Sequence, residues 1–126
     1  MPTPDAIRAT VDRYAELFEN DRAGWVGLFT TDATLEDPVG SEVRTGHVAI
    51  GEFWDLAHAL ADSIRIERTG TVRVAGSEAA WPFRTRTSVG GADMLLDVID
   101  VMTFDDDARI SGMRAFWDMA DLRAAD

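Results

Sequence analysis

Cysteine is absent from the 126 residues, which excludes thiol catalysis, disulfide staples and cysteine-bound zinc or iron–sulfur centres together. Redox chemistry would therefore need a bound cofactor, and none is expected. Positive charge is scarce too. Twelve basic residues stand against 23 acidic ones, and the resulting net charge of −11 opposes phosphate backbones and anionic lipid surfaces. That balance points away from nucleic acid and toward an uncharged small molecule. No apolar run reaches the length a membrane helix requires, so membrane insertion is not expected. Met1 to Asp5 holds two prolines and an acid where a secretory leader would be basic and then apolar. The cytoplasm is the expected compartment.

What is present is enough for a globular protein. A hydrophobic fraction of 46% in a chain of this length can supply a core without disulfides or metal, and no repeat, linker or low-complexity tract divides it. One domain over residues 1–126 is the expectation. The run Asp105-Asp106-Asp107 lacks the spaced ligands of a calcium loop and reads as a solvated turn.

Two periodicities divide the chain. From about Pro4 to Asn20, Ile7, Val11, Tyr14 and Phe18 recur every three or four residues with Leu17 beside them, which predicts an amphipathic helix. Thr3 and Pro4 suit its N-cap and first position, and Asp5 suits its positive end. A short helix near Ala23 to Phe29 would pack Trp25, Val26 and Phe29. A third, from about Gly46 to Ala61, carries Ile50, Phe53, Trp54, Leu56 and Leu60. After Asp62 the period becomes two, through Ile64 and Ile66, Val72 and Val74, then Trp81, Phe83, Thr85 and Thr87. Turn signals at Ala75-Gly76-Ser77, Gly90-Gly91 and Asp105 to Ala108 imply hairpin connections. Helices followed by antiparallel strands make an α+β protein.

Three polar residues stand out on apolar faces. Along Leu96 to Phe104, Asp100 shares a face with Leu96, Val98, Met102 and Phe104. Burial there disfavours its charged form and should keep it protonated near neutral pH, able to donate a hydrogen bond. The competing reading is a core carboxyl tied to a structural partner. Asp97 has the opposite phase and is the weaker candidate. Asp37 shares the inward face of a short extended segment with Leu35, while Glu36 points away. Pro38 biases the preceding residue toward extended geometry and so directs the carboxyl, although an Asp-Pro pair also serves in ordinary turns. Tyr14 lies on the buried face of the first helix, where its hydroxyl needs a partner, in the core or in a site. Phe53, Trp54, Trp81, Phe83, Phe116 and Trp117, with Val98 and Met102 beside Asp100, are the expected lining of a pocket for a flat, apolar ligand.

The runs Ala33-Thr34-Leu35-Glu36-Asp37-Pro38-Val39-Gly40-Ser41-Glu42 and Leu96-Asp97-Val98-Ile99-Asp100-Val101-Met102-Thr103-Phe104 resemble the bacterial ketosteroid isomerase family. Asp12-Arg13-Tyr14 and Met113-Arg114-Ala115-Phe116-Trp117 match in the same order and at nearly the same spacing. The resemblance runs from about Thr3 to Leu122. It implies a cone-shaped, curved antiparallel sheet wrapped by three N-terminal helices, the nuclear-transport-factor-2-like or SnoaL-like architecture, commonly paired into a homodimer. It also implies that Asp37 is the general base and that Tyr14 and a neutral Asp100 form the oxyanion hole of a steroid delta-isomerase. Two positions depart from the family pattern. Trp54 stands where members often carry a further tyrosine, and Trp81 is large for its place, so that an intruding ring would narrow the cavity.

Other chemistry on this fold needs other residues. A dehydratase would use histidines, but His47 and His58 lie in the third-helix region and read as surface or edge residues. An epoxide hydrolase would use an aspartate–arginine–aspartate relay, yet Arg84 and Arg86 have the outward phase, and the phase of Arg114 assigns it no place. A polyketide cyclase, working by similar acid–base logic, is the enzyme alternative. A passive hydrophobic-ligand module is the non-enzyme one.

Overall fold

The computed structural model describes residues 1–125. Helix α1 (Pro4–Leu17) starts where Thr3 Oγ1 accepts the Ala6 N–H at 3.1 Å. Pro4 then occupies a position whose N–H has no intrahelical acceptor to lose. Ile7, Val11 and Tyr14 form its buried stripe. The helix stops three residues short of the expected Asn20. Helix α2 (Arg22–Val26) is shorter than expected as well. Gly27 caps it, and Phe29 opens strand β1 (Phe29–Glu36) instead of closing the helix. After β2 (Arg44–Thr45) comes α3 (Gly46–Ala59), which buries Ile50, Gly51 and Trp54. No helix among the described residues is long and apolar enough to cross a membrane.

Strands β3 (Ser63–Arg68), β4 (Arg73–Ala75), β5 (Glu78–Val89), β6 (Ala92–Phe104), β7 (Ile110–Phe116) and β8 (Leu122–Ala124) complete the sheet. Its order is β2-β1-β7-β6-β5-β3, with β4 on β5 and β8 on β6. The sheet is curved and open, since its edges β2 and β3 do not meet. The β5–β6 hairpin pairs Glu78 with Thr103 through Val89 with Ala92. Its two-residue turn holds Gly90 and Gly91 at φ 58° and 83°, the left-handed pair that matches the twist of a hairpin.

The expected all-antiparallel sheet needs a correction. β1 and β7 are parallel neighbours, with Leu35 opposite Met113 and Glu36 opposite Arg114. A parallel pair cannot be joined by a tight turn. Here α3 and the β3–β6 strands lie between the two in sequence, which leaves β7 free to dock in the same direction as β1. The core fills the space between the helices and one face of the sheet, with Trp25, Phe29, Leu35, Ile50, Trp81, Met102 and Ile110 fully enclosed.

Candidate active site

Strand alternation carries Asp100 inward. In β6 the residues Val98, Asp100, Met102 and Phe104 are buried while Asp97, Ile99 and Thr103 face out. Asp100 is 0% exposed, and neither carboxyl oxygen has a hydrogen-bond partner among the described residues. The structural partner that would tie it into the core is therefore not there. Burial is the main force raising its pKa well above the usual aspartate range, and the nearby charge of Asp37 raises it further.

Asp37 follows the last residue of β1. Its segment is held against β7 where the Val39 N–H donates to the Ala115 carbonyl at 2.8 Å. The carboxyl is half-buried, and the indole N–H of Trp117 donates to its Oδ1 at 2.6 Å. Burial raises the pKa of Asp37, and the Trp117 bond, which favours the anion, pulls it back. Glu36 points the other way. It accepts from the Gly40 N–H at 3.0 Å and from Arg114 Nε at 3.3 Å, which accounts for the arginine the sequence pattern could not assign.

Tyr14 is 3% exposed. Its ring meets Trp25 at 5.5 Å and lies nearly perpendicular to Trp81 at 5.9 Å. Burial first, then the charges of Asp100 and Asp37, push its hydroxyl well above the ordinary tyrosine pKa. The structure brings Tyr14 and Asp37 to one cavity wall, whereas Asp100 does not line that cavity and lies enclosed in the core.

Tyr14 and Asp37 open onto a cavity of about 370 Å³, within the size of small-molecule sites. Phe83, Val98 and Trp117 line it as expected, and so does Phe53. Four expected lining residues lie elsewhere. Trp81 is fully enclosed and stacks on Phe83 at 4.6 Å, so its size fills the core and does not narrow the cavity. Trp54 packs against Phe18 at 5.0 Å and stacks on His58 at 4.0 Å, turned away from the cavity. Met102 sits past Asp100 in the closed part of the core. Phe116 is 42% exposed, on the outer face of β7, with the Arg114 guanidinium 5.2 Å over its ring. Adjacent residues of a strand face opposite sides, so Trp117, the residue after the outward Phe116, points inward.

Thr85, Thr87, Met94 and Leu96 also line the cavity, as do Leu60, Ala61 and Leu122 near its rim. The alternation of β5 from Phe83 could have found the two threonines; Leu122, on a three-residue strand, had no such signal. The histidines are half-buried, not on the surface. Their Nε2 atoms meet the carbonyls of Phe29 (His47, 2.8 Å) and Phe18 (His58, 2.9 Å), and neither lines the cavity. Arg84 and Arg86 face outward to Asp97, and to Glu67 and Asp93, respectively. No metal-holding group of three His, Asp or Glu side chains occurs among the described residues.

Three helices wrapped on a curved sheet make the SnoaL-like fold, and the chain belongs to the SnoaL-like domain family, which it matches over residues 6–113. A relative named steroid delta-isomerase, from Nocardioides simplex, is 39% identical over 117 residues, covering 92% of this chain and 93% of the relative. A solved structure described as the epoxide hydrolase/cyclase-like enzyme SalBIII, in pyran ring formation in polyether salinomycin, superposes with a TM-score of 0.88 at 27% identity, over 99% of this chain and 100% of that one.

Proposed function

We propose that the protein is a steroid delta-isomerase, converting a 3-oxo-Δ5-steroid to the conjugated 3-oxo-Δ4-steroid by intramolecular proton transfer. The observation that carries this reading is a pair of carboxyls near enough for the charge of one to act on the other, Asp37 on the cavity wall and Asp100 enclosed in the core, with different surroundings. Asp37 is half-buried and held by a donor that favours its anion, whereas Asp100 is enclosed without a partner. One is suited to be a base and the other a neutral acid.

Asp37 as carboxylate removes the proton from the carbon between the ketone and the isolated double bond. The electron pair moves into a dienolate, and negative charge grows on the ketone oxygen. Tyr14 and protonated Asp100 each donate a hydrogen bond to that oxygen. Donors held in place in a dry site stabilise such charge strongly, because no water has to reorient. Asp37 then returns the proton at the far end of the former double bond. One carboxylate acts as base and then as acid, so the proton inventory closes without another group. The relative's name supports the steroid as substrate.

The test follows enone absorbance in the ultraviolet after mixing protein with 5-androstene-3,17-dione, with Asp37→Asn alongside. Fast growth of the signal, lost in the variant by about 10²- to 10⁴-fold, is the expected result. Growth no faster than the uncatalysed reaction would overturn the reading. The second reading, a cyclase-like enzyme, is favoured by the SalBIII likeness. It predicts cyclisation of a polyketide-type substrate and no isomerisation. The arginine an epoxide relay would require does not line the cavity.

The outer face of the sheet supports homodimer formation. Ile99 and Phe116 are register partners there, and about half of each is exposed. Ile99→Arg should lower the sedimentation mass to that of a monomer; a wild-type protein that is already monomeric would remove this assignment.

A further inference from the structure

The β5–β6 hairpin is a ruler along the cavity. Cross-strand pairs run from Trp81/Asp100, through Phe83/Val98 and Thr85/Leu96, to Thr87/Met94. Beyond these lie Val89 and the Gly90-Gly91 turn, with Val89 48% exposed, so this end of the hairpin is the mouth. Side chains on one face recur every second residue at a rise of about 3.3 Å per residue. Thr85 therefore stands about 13 Å from the Asp100 level and Thr87 about 20 Å from it.

The wall beyond Tyr14 and Asp37 is otherwise apolar, and these two threonines supply its other side-chain hydroxyls. Both residues are half-buried and face the open cavity, and neither hydroxyl bonds another side chain or a backbone group among the described residues. A valine has the same shape and would suit an apolar wall without leaving a polar group to be satisfied. Both hydroxyls are therefore open to a polar group that a ligand brings, and the reach of the ligand decides between them.

A four-ring ketone built from carbon–carbon bonds of about 1.5 Å extends roughly 10 Å from its ketone oxygen to the far ring. With that oxygen held by Tyr14 and Asp100, the far ring lies at the level of the Thr85/Leu96 pair, one pair short of Thr87. We infer that the Thr85 hydroxyl is a far-end subsite that recognises a second oxygen, a ketone or hydroxyl on the terminal ring, so that the preferred ligand is oxygenated at both ends. This inference rests on the isomerase reading for the direction in which the ligand lies, but its test reads binding.

The experiment measures dissociation constants by quenching of tryptophan fluorescence. The ligands are 4-androstene-3,17-dione and 4-androsten-3-one, which differ only in the terminal-ring oxygen. Wild type, Thr85→Val, Thr85→Ser and Thr87→Val are compared. Thr85→Val should weaken the dione relative to the mono-ketone by about 3- to 10-fold, the size of one neutral hydrogen bond. Thr85→Ser should restore the wild-type ratio, and Thr87→Val should leave it unchanged. Comparing the ratio between ligands cancels their difference in hydrophobicity. An unchanged ratio in Thr85→Val overturns the subsite, as does failure of the wild type to bind either ketone. Turnover of 5-androstene-3,17-dione, followed in parallel, separates the two ideas. A Thr85-dependent ratio without turnover removes the isomerase reading and keeps the subsite; turnover without the ratio does the reverse.

Discussion

Trp117 and Asp37 are joined by a 2.6 Å hydrogen bond from indole N–H to carboxylate Oδ1, across 80 positions of sequence. The bond stabilises the anion of a carboxyl whose burial favours the neutral form. Its loss should move the pKa of Asp37 further up. Trp117→Phe should therefore shift the acidic limb of kcat/KM to higher pH, with the loss of activity shrinking as the pH is raised. A limb that stays in place or moves down in the pH–rate profile would show that the indole does not hold the base.

Asp100 and Tyr14 should behave as donors. Tyr14→Phe and Asp100→Leu are each expected to lower kcat by about 10²- to 10³-fold with little change in the circular dichroism of the fold. Full activity in both would remove the oxyanion-hole assignment. Asp100→Asn keeps an N–H donor and should lose less.

The alkaline side of the profile offers an independent check. Asp100 donates only while protonated, and its pKa is raised, so its donor is present below that raised value and lost as pH climbs through it. The rate should then fall. In Asp100→Asn, where no such proton can leave, this part of the decline should vanish; a variant profile that superposes on the wild type would assign the decline elsewhere.

Stability carries the same sign. In the folded state Asp100 keeps a proton that the unfolded chain releases near pH 4. Stability should consequently fall as pH rises from there toward the raised pKa. Asp100→Leu, which has no proton to lose, should gain in Tm relative to wild type between pH 4 and pH 8, as read by thermal melts. A constant difference across that range would mean that the buried carboxyl does not titrate with folding.

Trp81 is a core residue in this fold, fully enclosed, stacked on Phe83 and nearly perpendicular to the ring of Tyr14. Trp81→Ala should cost about 3–5 kcal/mol of stability in urea unfolding. A small loss accompanied by a widened ligand range would return Trp81 to the cavity wall.

Much of the arrangement was legible because two periods are hard to mistake. The spacing of Ile7, Val11 and Tyr14 marked α1 and its buried face, and the alternation around Val98, Asp100 and Met102 marked the inward carboxyl of β6. Boundaries were less legible. Phe29 continues the apolar spacing of α2, yet it begins β1, because Gly27 ends the helix before the pattern does. The cavity wall was partly misread for a different reason. An inward phase says that a side chain leaves the surface, but not whether it meets other side chains or open space. Trp54, Trp81 and Met102 meet the core; Phe83 and Val98 meet the cavity. Phe116 and Trp117 show the remaining limit, since neighbours in sequence are both expected inward although the alternation of β7, with Ala115 buried and Phe116 exposed, admits only Trp117.

The parallel pairing of β1 with β7 has a consequence for how the protein comes into being. Both strands run out toward the same end of the sheet, so the segment carrying Asp37 and the one carrying Trp117 leave side by side. Their contact cannot be made locally. It must wait until the hairpins between them are in place, and contacts so distant along a chain form slowly. During synthesis, helix α1 and the Asp37 segment emerge long before the strand that completes their surroundings. Asp37 is thus among the early residues to be made and among the last to acquire its environment, which ties any chemistry of its carboxyl to completion of the fold.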